Sequence, residues 1–252
     1  MKNITAQISA IRAARKFRTG DQGFLSNRRK FAESLGVPRL YEFIDQFGLY
    51  AGEQTIASRI SSYEILKRTI DVPGHVVEFG VWHGSNLLFL AKLLRLLQPS
   101  STKLLVGFDN FAGLPEPKAV DGPEGAAAIG RYKGNREVLD AAIDVFELHD
   151  WVYLIEGNAV ETIPAFGKEF PDFVVSMAWI DFDLYEPCKA ALEFLAGKVP
   201  VGGIIVLDEA TTQAWPGETL AMLEFLRKSG ARYRMHANKL ARQPVMYLVR
   251  EE

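Results

Sequence analysis

From His75 onward the sequence alternates short apolar runs with helix-period segments, and this alternation limits the fold more than any other feature. Residues 76–79, 103–108, 152–156, 173–180 and 203–207 read as strands. Helical patterns follow over 85–97, 135–148, 159–170, 186–198 and 217–228, and residues 232–236 and 245–249 form a closing strand pair. Strands that alternate with helices build a parallel sheet covered on both faces, because each crossover helix must bury its apolar stripe. The closing pair adds one antiparallel edge. An α/β, Rossmann-like sheet is the fold class expected, over residues 74–252.

Residues 1–73 read differently. Residues 4–17 predict an amphipathic helix, residues 20–23 a loop, and 39–47 and 54–70 further helices. This stretch has too little apolar surface for a core of its own, so it is expected to serve as a helical extension, a lid or an oligomer contact. Residues 110–131 are rich in Gly, Pro and Ala and read as one long loop, a length that usually goes with function. A single cysteine, Cys188, forbids an intrachain disulfide, and no run reaches membrane-spanning length. With 29 Lys and Arg against 31 Asp and Glu, the charge balance argues against nucleic acid as the main partner. A cytoplasmic protein without a membrane or nucleic-acid partner is expected.

In an open parallel sheet, ligands bind beyond the carboxyl ends of the strands. There the first strand runs into Gly80-Val81-Trp82-His83-Gly84-Ser85-Asn86. A dinucleotide loop needs a small middle residue to admit a pyrophosphate, and Trp82 stands at that place. The loop suits a ligand without a diphosphate better than it suits NAD. Glu78 is placed to accept hydrogen bonds from an ammonium group or a backbone amide, and Ser85 or Asn86 to cap the next helix. Asp109 ends the second strand, where an acid can accept the two hydroxyls of a ribose, or simply close a turn before Asn110. Gly157-Asn158-Ala159 ends the third and offers an amide edge to an adenine.

Strands four and five end in Asp181-Phe182-Asp183-Leu184-Tyr185-Glu186-Pro187 and Asp208-Glu209. Carboxylates gathered on one edge repel one another unless a proton or a hard cation such as Mg2+ neutralises them. Each taken singly also fits a cap or a turn.

Four ordered segments carry a more specific likeness: Val77-Glu78-Phe79-Gly80-Val81-Trp82-His83-Gly84, Gly107-Phe108-Asp109 with Gly113-Leu114-Pro115-Glu116, Asp181 to Pro187, and Gly202 to Asp208. Together they resemble the macrocin-type sugar O-methyltransferases, over about residues 76–226. The resemblance implies a seven-stranded sheet, S-adenosylmethionine as methyl donor, a sugar or glycoside hydroxyl as acceptor in natural-product biosynthesis, and a homo-oligomer. It implies cofactor contacts from Glu78, Phe79, Gly80, Trp82, Gly84, Ser85, Asp109, Asn110, Phe111, Gly157, Asn158, Ala159 and Asp181. It also implies Mg2+ held by Asp181, Asp208 and Glu209; Asp181, between metal and substrate, is the expected general base. Glu209-Ala210 departs from the family's Asp-Tyr, and His83 from its basic residue. His149 and His236 are other candidates for the base, and Trp82, Trp179, Trp215 and Tyr185 for stacking surfaces.

Three rival readings stand beside this one. Tyr185-x-x-x-Lys189 has the spacing of a short-chain dehydrogenase pair, although Pro187 sits between the two. A catechol-type methyltransferase shares the metal logic with an aromatic diol as acceptor. A non-catalytic cofactor-binding protein is the third.

Overall fold

The computed structural model describes residues 21–252 and divides into two compact units. The predicted helix over 4–17 lies outside the described residues. One unit takes the chain up to Ala51 together with Asp140–Glu147. In it, α1 (Asp21–Ser34), α2 (Leu40–Ile44) and α3 (Phe47–Tyr50) follow one another, and the Arg28 guanidinium donates to both carboxylate oxygens of Asp45 at 3.0 and 2.8 Å. Asp21, Gln22 and Gly23 open α1 rather than forming a loop, which corrects that expectation. A lone glycine at a helix start costs little, so the loop signal there was weak.

The second unit comprises Gly52–Leu139 and Leu148–Glu252. After α4 (Glu53–Arg68) come β1 (His75–Phe79), α5 (Ser85–Leu97) and β2 (Leu105–Asp109). Next are α6 (Gly122–Ala127), α7 (Arg136–Val145), whose last residues belong to the first unit, and β3 (Val152–Glu156). The chain continues through α8 (Ala159–Glu169), β4 (Val175–Ile180), α9 (Tyr185–Leu195), β5 (Ile204–Leu207), α10 (Pro216–Lys228), β6 (Tyr233–Ala237) and β7 (Met246–Arg250). The seven strands form one sheet in the order β3-β2-β1-β4-β5-β7-β6. The first five are parallel and β7 runs antiparallel to both neighbours, as the alternating pattern predicts. Among the described residues, no helix is long and apolar enough to cross a membrane.

Burial follows position in the sheet. Central β4 is buried along its whole length, so its apolar run needs no alternation, whereas edge strand β6 is largely exposed. On α5, Leu87, Leu90, Ala91 and Leu94 recur at helical spacing and are fully buried. Phe79 is also fully buried, with Phe108 stacked at 5.3 Å and Phe194 edge-on at 6.2 Å. Burying such a ring stabilises the fold by about 2–3 kcal/mol.

The register is what places the site. Phe79 pairs with Phe108 and with Ile180, and Ile180 with Leu207, so β1, β2, β4 and β5 end level with one another. The residues that follow emerge on one edge. Because β1 lies between β2 and β4, the chain leaves it in one direction and returns on the other side, which opens a crevice there. Residues 110–131 are not wholly loop: a helical turn at Ala119–Asp121 leads into α6. These helices span six residues or fewer, too short for periodicity to reveal.

Candidate active site at the strand ends

A cavity of about 600 Å³ opens at this crevice. Gly80, Trp82, Asp109, Asn110, Gly157, Asn158 and Ala159 line it, and Asp181, Asp183, Asp208 and Glu209 line it as well. Its outer wall comes from the segment after β2, including Leu114, Pro115 and Tyr132, and from Trp215. Gly80 takes a left-handed φ of 92°, and a Cβ there would collide with the Asp181 backbone carbonyl. Only glycine lets the β1 and β4 ends come this close. The Asp181 amide completes the junction by donating to the Phe79 carbonyl at 2.8 Å.

Asp109 shapes the loop. One carboxylate oxygen accepts from the Val81 and Trp82 amides, each at 2.7 Å, and the other from the Phe111 amide at 2.7 Å. Those bonds hold Trp82 and Phe111 at positive φ, 49° and 51°, a conformation that bulky residues rarely adopt. Trp82 lines the cavity with its ring edge-on to that of Tyr132, while Phe111 is buried beneath the Arg136 guanidinium.

Five of the expected cofactor contacts lie off the cavity. Phe79 is core. Phe111 is buried. Gly84 adopts the left-handed conformation and packs on Leu139. Ser85 is exposed and accepts from Arg59 at 3.2 Å. Glu78 is 2 % exposed: Oε1 accepts from Asn86 Nδ2 at 2.9 Å, and Oε2 has no hydrogen-bond partner. Burial, followed by the nearby Asp181 charge, pushes the Glu78 carboxyl up to about 8 in spite of the Asn86 bond. Neither Ser85 nor Asn86 caps α5. Gly84 is its N-cap, and Asn86 is turned instead to Glu78 and Ser62. Asn158 does cap α8, accepting from the Val160 amide.

The carboxylates meet as their strand ends predict. Asp181 lines the cavity and is exposed to the solvent within it. The protein packed around it, then the Glu209 and Asp109 charges, push its carboxyl up to about 7. Water in the cavity screens part of this repulsion until a ligand displaces it. Asp183, held at a φ of 62°, is raised to about 8 by burial and then by Asp181 and Glu209. Asp208 is raised well above the usual carboxylate range, first by burial and next by Asp181.

An all-oxygen donor set of this kind suits a hard cation. However, among the described residues no three His, Cys, Asp or Glu side chains converge closely enough to hold a metal ion, and Glu209 Oε1 is engaged by the Gln243 amide. Asp181, Asp208 and Glu209 as placed therefore do not assemble the expected Mg2+ site.

Two organising acids escaped the sequence reading. Asp121 is 1 % exposed and accepts from the Tyr185 and Lys118 amides, each at 2.7 Å. It fastens the wall after β2 to the start of α9. Gly217 packs so tightly against its Oδ1 that no Cβ could fit. Glu218 is fully buried, and its Oε1 accepts from the Glu209 and Ala210 amides at 3.1 and 3.0 Å, so it holds the loop that carries Asp208. The only sequence signals were an Asp-Gly-Pro turn and an acid in the first turn of a helix.

The other candidates separate clearly. Trp215 lines the cavity, but Trp179 is buried in the sheet and belongs to the core. His236 stacks on Tyr247 at the far edge strands, and neither it nor His149 lines the cavity. Tyr185 donates its hydroxyl to Glu224 at 2.9 Å, which raises its pKa. A dehydrogenase tyrosine needs the opposite shift.

The seven-stranded sheet and its acidic switch-point cleft define the Rossmann-like methyltransferase class. Within that class, residues 58–237 match the family model described as macrocin-O-methyltransferase (TylF), and the chain belongs to this family. A tetracenomycin-pathway 4'-O-methyltransferase from Streptomyces olivaceus, which acts on a dimethoxyrhamnosyl compound, is 30% identical over 150 residues. That match covers 57% of this chain and 55% of the relative. A demethyldecarbamoylnovobiocin O-methyltransferase from Streptomyces niveus is 28% identical over 143 residues, covering 55% and 53%. The chain thus spans about half the length of the curated relatives it matches. Among solved structures, the calicheamicin methyltransferase CalS11 is 31% identical with a TM-score of 0.70, over 90% of this chain and 91% of that one. The O-methyltransferase NovP shares the fold at 22% identity and a TM-score of 0.65, covering 78% and 81%.

Proposed function

We propose that this protein transfers the methyl group of S-adenosylmethionine to a hydroxyl of a sugar or glycoside in natural-product biosynthesis. The observation that carries the reading is the level ending of β1, β2, β4 and β5, which puts a donor-side loop and the Asp181 carboxylate around one cavity. One named relative acts on a rhamnosyl tetracenomycin, which supports a sugar acceptor.

The residues suit the donor. Gly80, Trp82 and Asp109 offer a close backbone approach, and Asn110, Gly157, Asn158 and Ala159 a wall for the nucleoside. The unpartnered Glu78 Oε2 supplies a buried acceptor behind the loop for an ammonium group. When bound, the donor supplies an electrophilic methyl carbon. The chain's own task is to hold a hydroxyl in line with it and to accept its proton. Alignment by walls such as Trp82, Tyr132 and Trp215 lowers the barrier by several kcal/mol, and these rings exclude water. Asp181 takes the proton as general base. A carboxyl raised to about 7 is a stronger base than an ordinary aspartate and is still substantially ionised near neutral pH.

The test is Asp181→Asn assayed with a rhamnoside acceptor. Turnover falls by about 100-fold or more, the usual worth of a general base, while S-adenosylhomocysteine binding by calorimetry is nearly unchanged. In the wild type, kcat rises with pH through about 7 as the base ionises. Full activity of the variant would sink the assignment.

A further inference from the structure

Asp183 differs from two neighbouring acids of the cleft in what its carboxylate does. Both oxygens of Asp109 and of Asp121 are spent on backbone amides, which fixes those two residues as organisers. An aspartate in a turn ordinarily does the same and bonds its own loop. Asp183 does not. It is only 9 % exposed and lines the cavity, yet among the described residues no amide or side chain donates to its carboxylate. A buried acceptor left open costs stability until a ligand fills it.

The backbone is strained at the same residue. The Leu184 amide donates to the Phe182 carbonyl at 2.6 Å across Asp183, whose φ is 62°. This is a γ-turn of the positive-φ form, which is rare and strained. Packing on both sides holds it there. Phe182 is buried in the main core, its ring centroid 6.1 Å from that of Phe79, and Leu184, 1 % exposed, packs with Ala128 and Trp215. The next amide, that of Tyr185, is fixed by Asp121. The neighbours thus over-determine the turn, and the residue at its centre carries an acid with nothing of its own to bind.

Asp183 lies two residues from Asp181 and within electrostatic reach of it, so one ligand can meet both carboxylates. A sugar presents several hydroxyls, and the enzyme must choose among them. We propose that Asp183 is an acceptor-binding residue that makes this choice: its carboxylate accepts a hydrogen bond from a second hydroxyl of the sugar and so turns the reacting one towards Asp181. This rests on the reading of the cleft as a sugar O-methyltransferase site. A bond from hydroxyl to carboxylate is charge-assisted, and an acceptor without that hydroxyl leaves the buried acid unpaired and is disfavoured.

Methyl rhamnoside and its monodeoxy analogues, each lacking one hydroxyl other than the methylated one, separate this role from a structural one. kcat/KM is measured for each acceptor with the full chain, as wild type, Asp183→Gly and Asp183→Asn. Glycine removes the carboxylate and adopts the positive φ without strain, so the urea midpoint should match or exceed that of the wild type. Toward the parent rhamnoside the glycine variant should lose roughly 10- to 100-fold, and the asparagine variant, which keeps an acceptor oxygen, less. Toward one of the deoxy acceptors, wild type and glycine variant should agree within about 3-fold, because the bond is already missing. Full activity of the glycine variant overturns the proposal. So does an equal loss toward every acceptor, or a matching loss of calorimetric S-adenosylhomocysteine affinity, which would put Asp183 on the donor side. If the wild type methylates no rhamnoside, the acceptor reading fails first and the proposal falls with it.

Discussion

Glu78→Gln should stabilise the fold and weaken the cofactor site at once, with the stabilisation set by pH. The carboxyl is 2 % exposed and its pKa is pushed from the usual 4.5 to about 8. The folded state thus binds the proton more tightly than the unfolded state does. Stability is fully present below pH 4.5, declines as pH rises towards about 8, and is level above that. Each pH unit in this window corresponds to about 1.4 kcal/mol, so Glu78 costs the wild type about 3 kcal/mol at pH ~7 and nearly 5 kcal/mol at high pH. Glutamine removes the titration while keeping an oxygen to accept from Asn86. Its amide N–H2 takes the place of Oε2, which already lacks a partner. Urea denaturation at pH ~5 and ~8.5 should show the variant's advantage growing from under ~1 kcal/mol to several. At the higher pH, S-adenosylhomocysteine affinity should fall by about 10-fold, because an amide cannot pair with an ammonium as a carboxylate does. A stability difference that is flat across this range would refute the reasoning, as would a variant weaker than wild type throughout.

Two further predictions concern the acids that organise the site. Asp121→Ala leaves the Tyr185 and Lys118 amides without an acceptor, at a cost of about 2–4 kcal/mol. Acceptor KM should rise while calorimetric binding of S-adenosylhomocysteine stays put; the reverse pattern counts against a wall-positioning role. Glu218→Ala should lower stability in urea by about 2–4 kcal/mol, through the stranded Glu209 and Ala210 amides. Glu218→Gln, which keeps an acceptor oxygen, should fall within about 1 kcal/mol of wild type, and equal losses in the two variants would contradict the proposed bonds.

The sheet was legible because its signals are local. Apolar runs such as that of β4 and the helical spacing of α5 are dictated by burial that the same residues bring about. The strand-end acids were legible for a related reason, since parallel order puts Asp109, Asp181 and Asp208 on one edge. What stayed hidden depends on contacts distant in sequence. Asp121 acquires its role from Tyr185, 64 residues on. Trp179 stayed open between core and stacking surface, because one residue decides whether a strand-end ring faces the sheet core or the cleft, and it is buried in the core. At the start of α5, capping preference favoured Ser85 or Asn86. The left-handed turn at Gly84 and the demand of Glu78 for a donor overrode that local preference.

The Asp121 junction also bears on how acceptor preference can be transplanted between related enzymes. The segment after β2, the start of α9 and the start of α10 meet at one buried carboxylate, and Gly217 leaves no room for adjustment. A graft of residues 110–131 alone would bring a new wall to an old socket. Donor segments should therefore be exchanged as a set that includes the residues around Tyr185 and Gly217. Isolated loop swaps are expected to yield folded proteins with no new acceptor, whereas three-part grafts carry the pocket shape across intact.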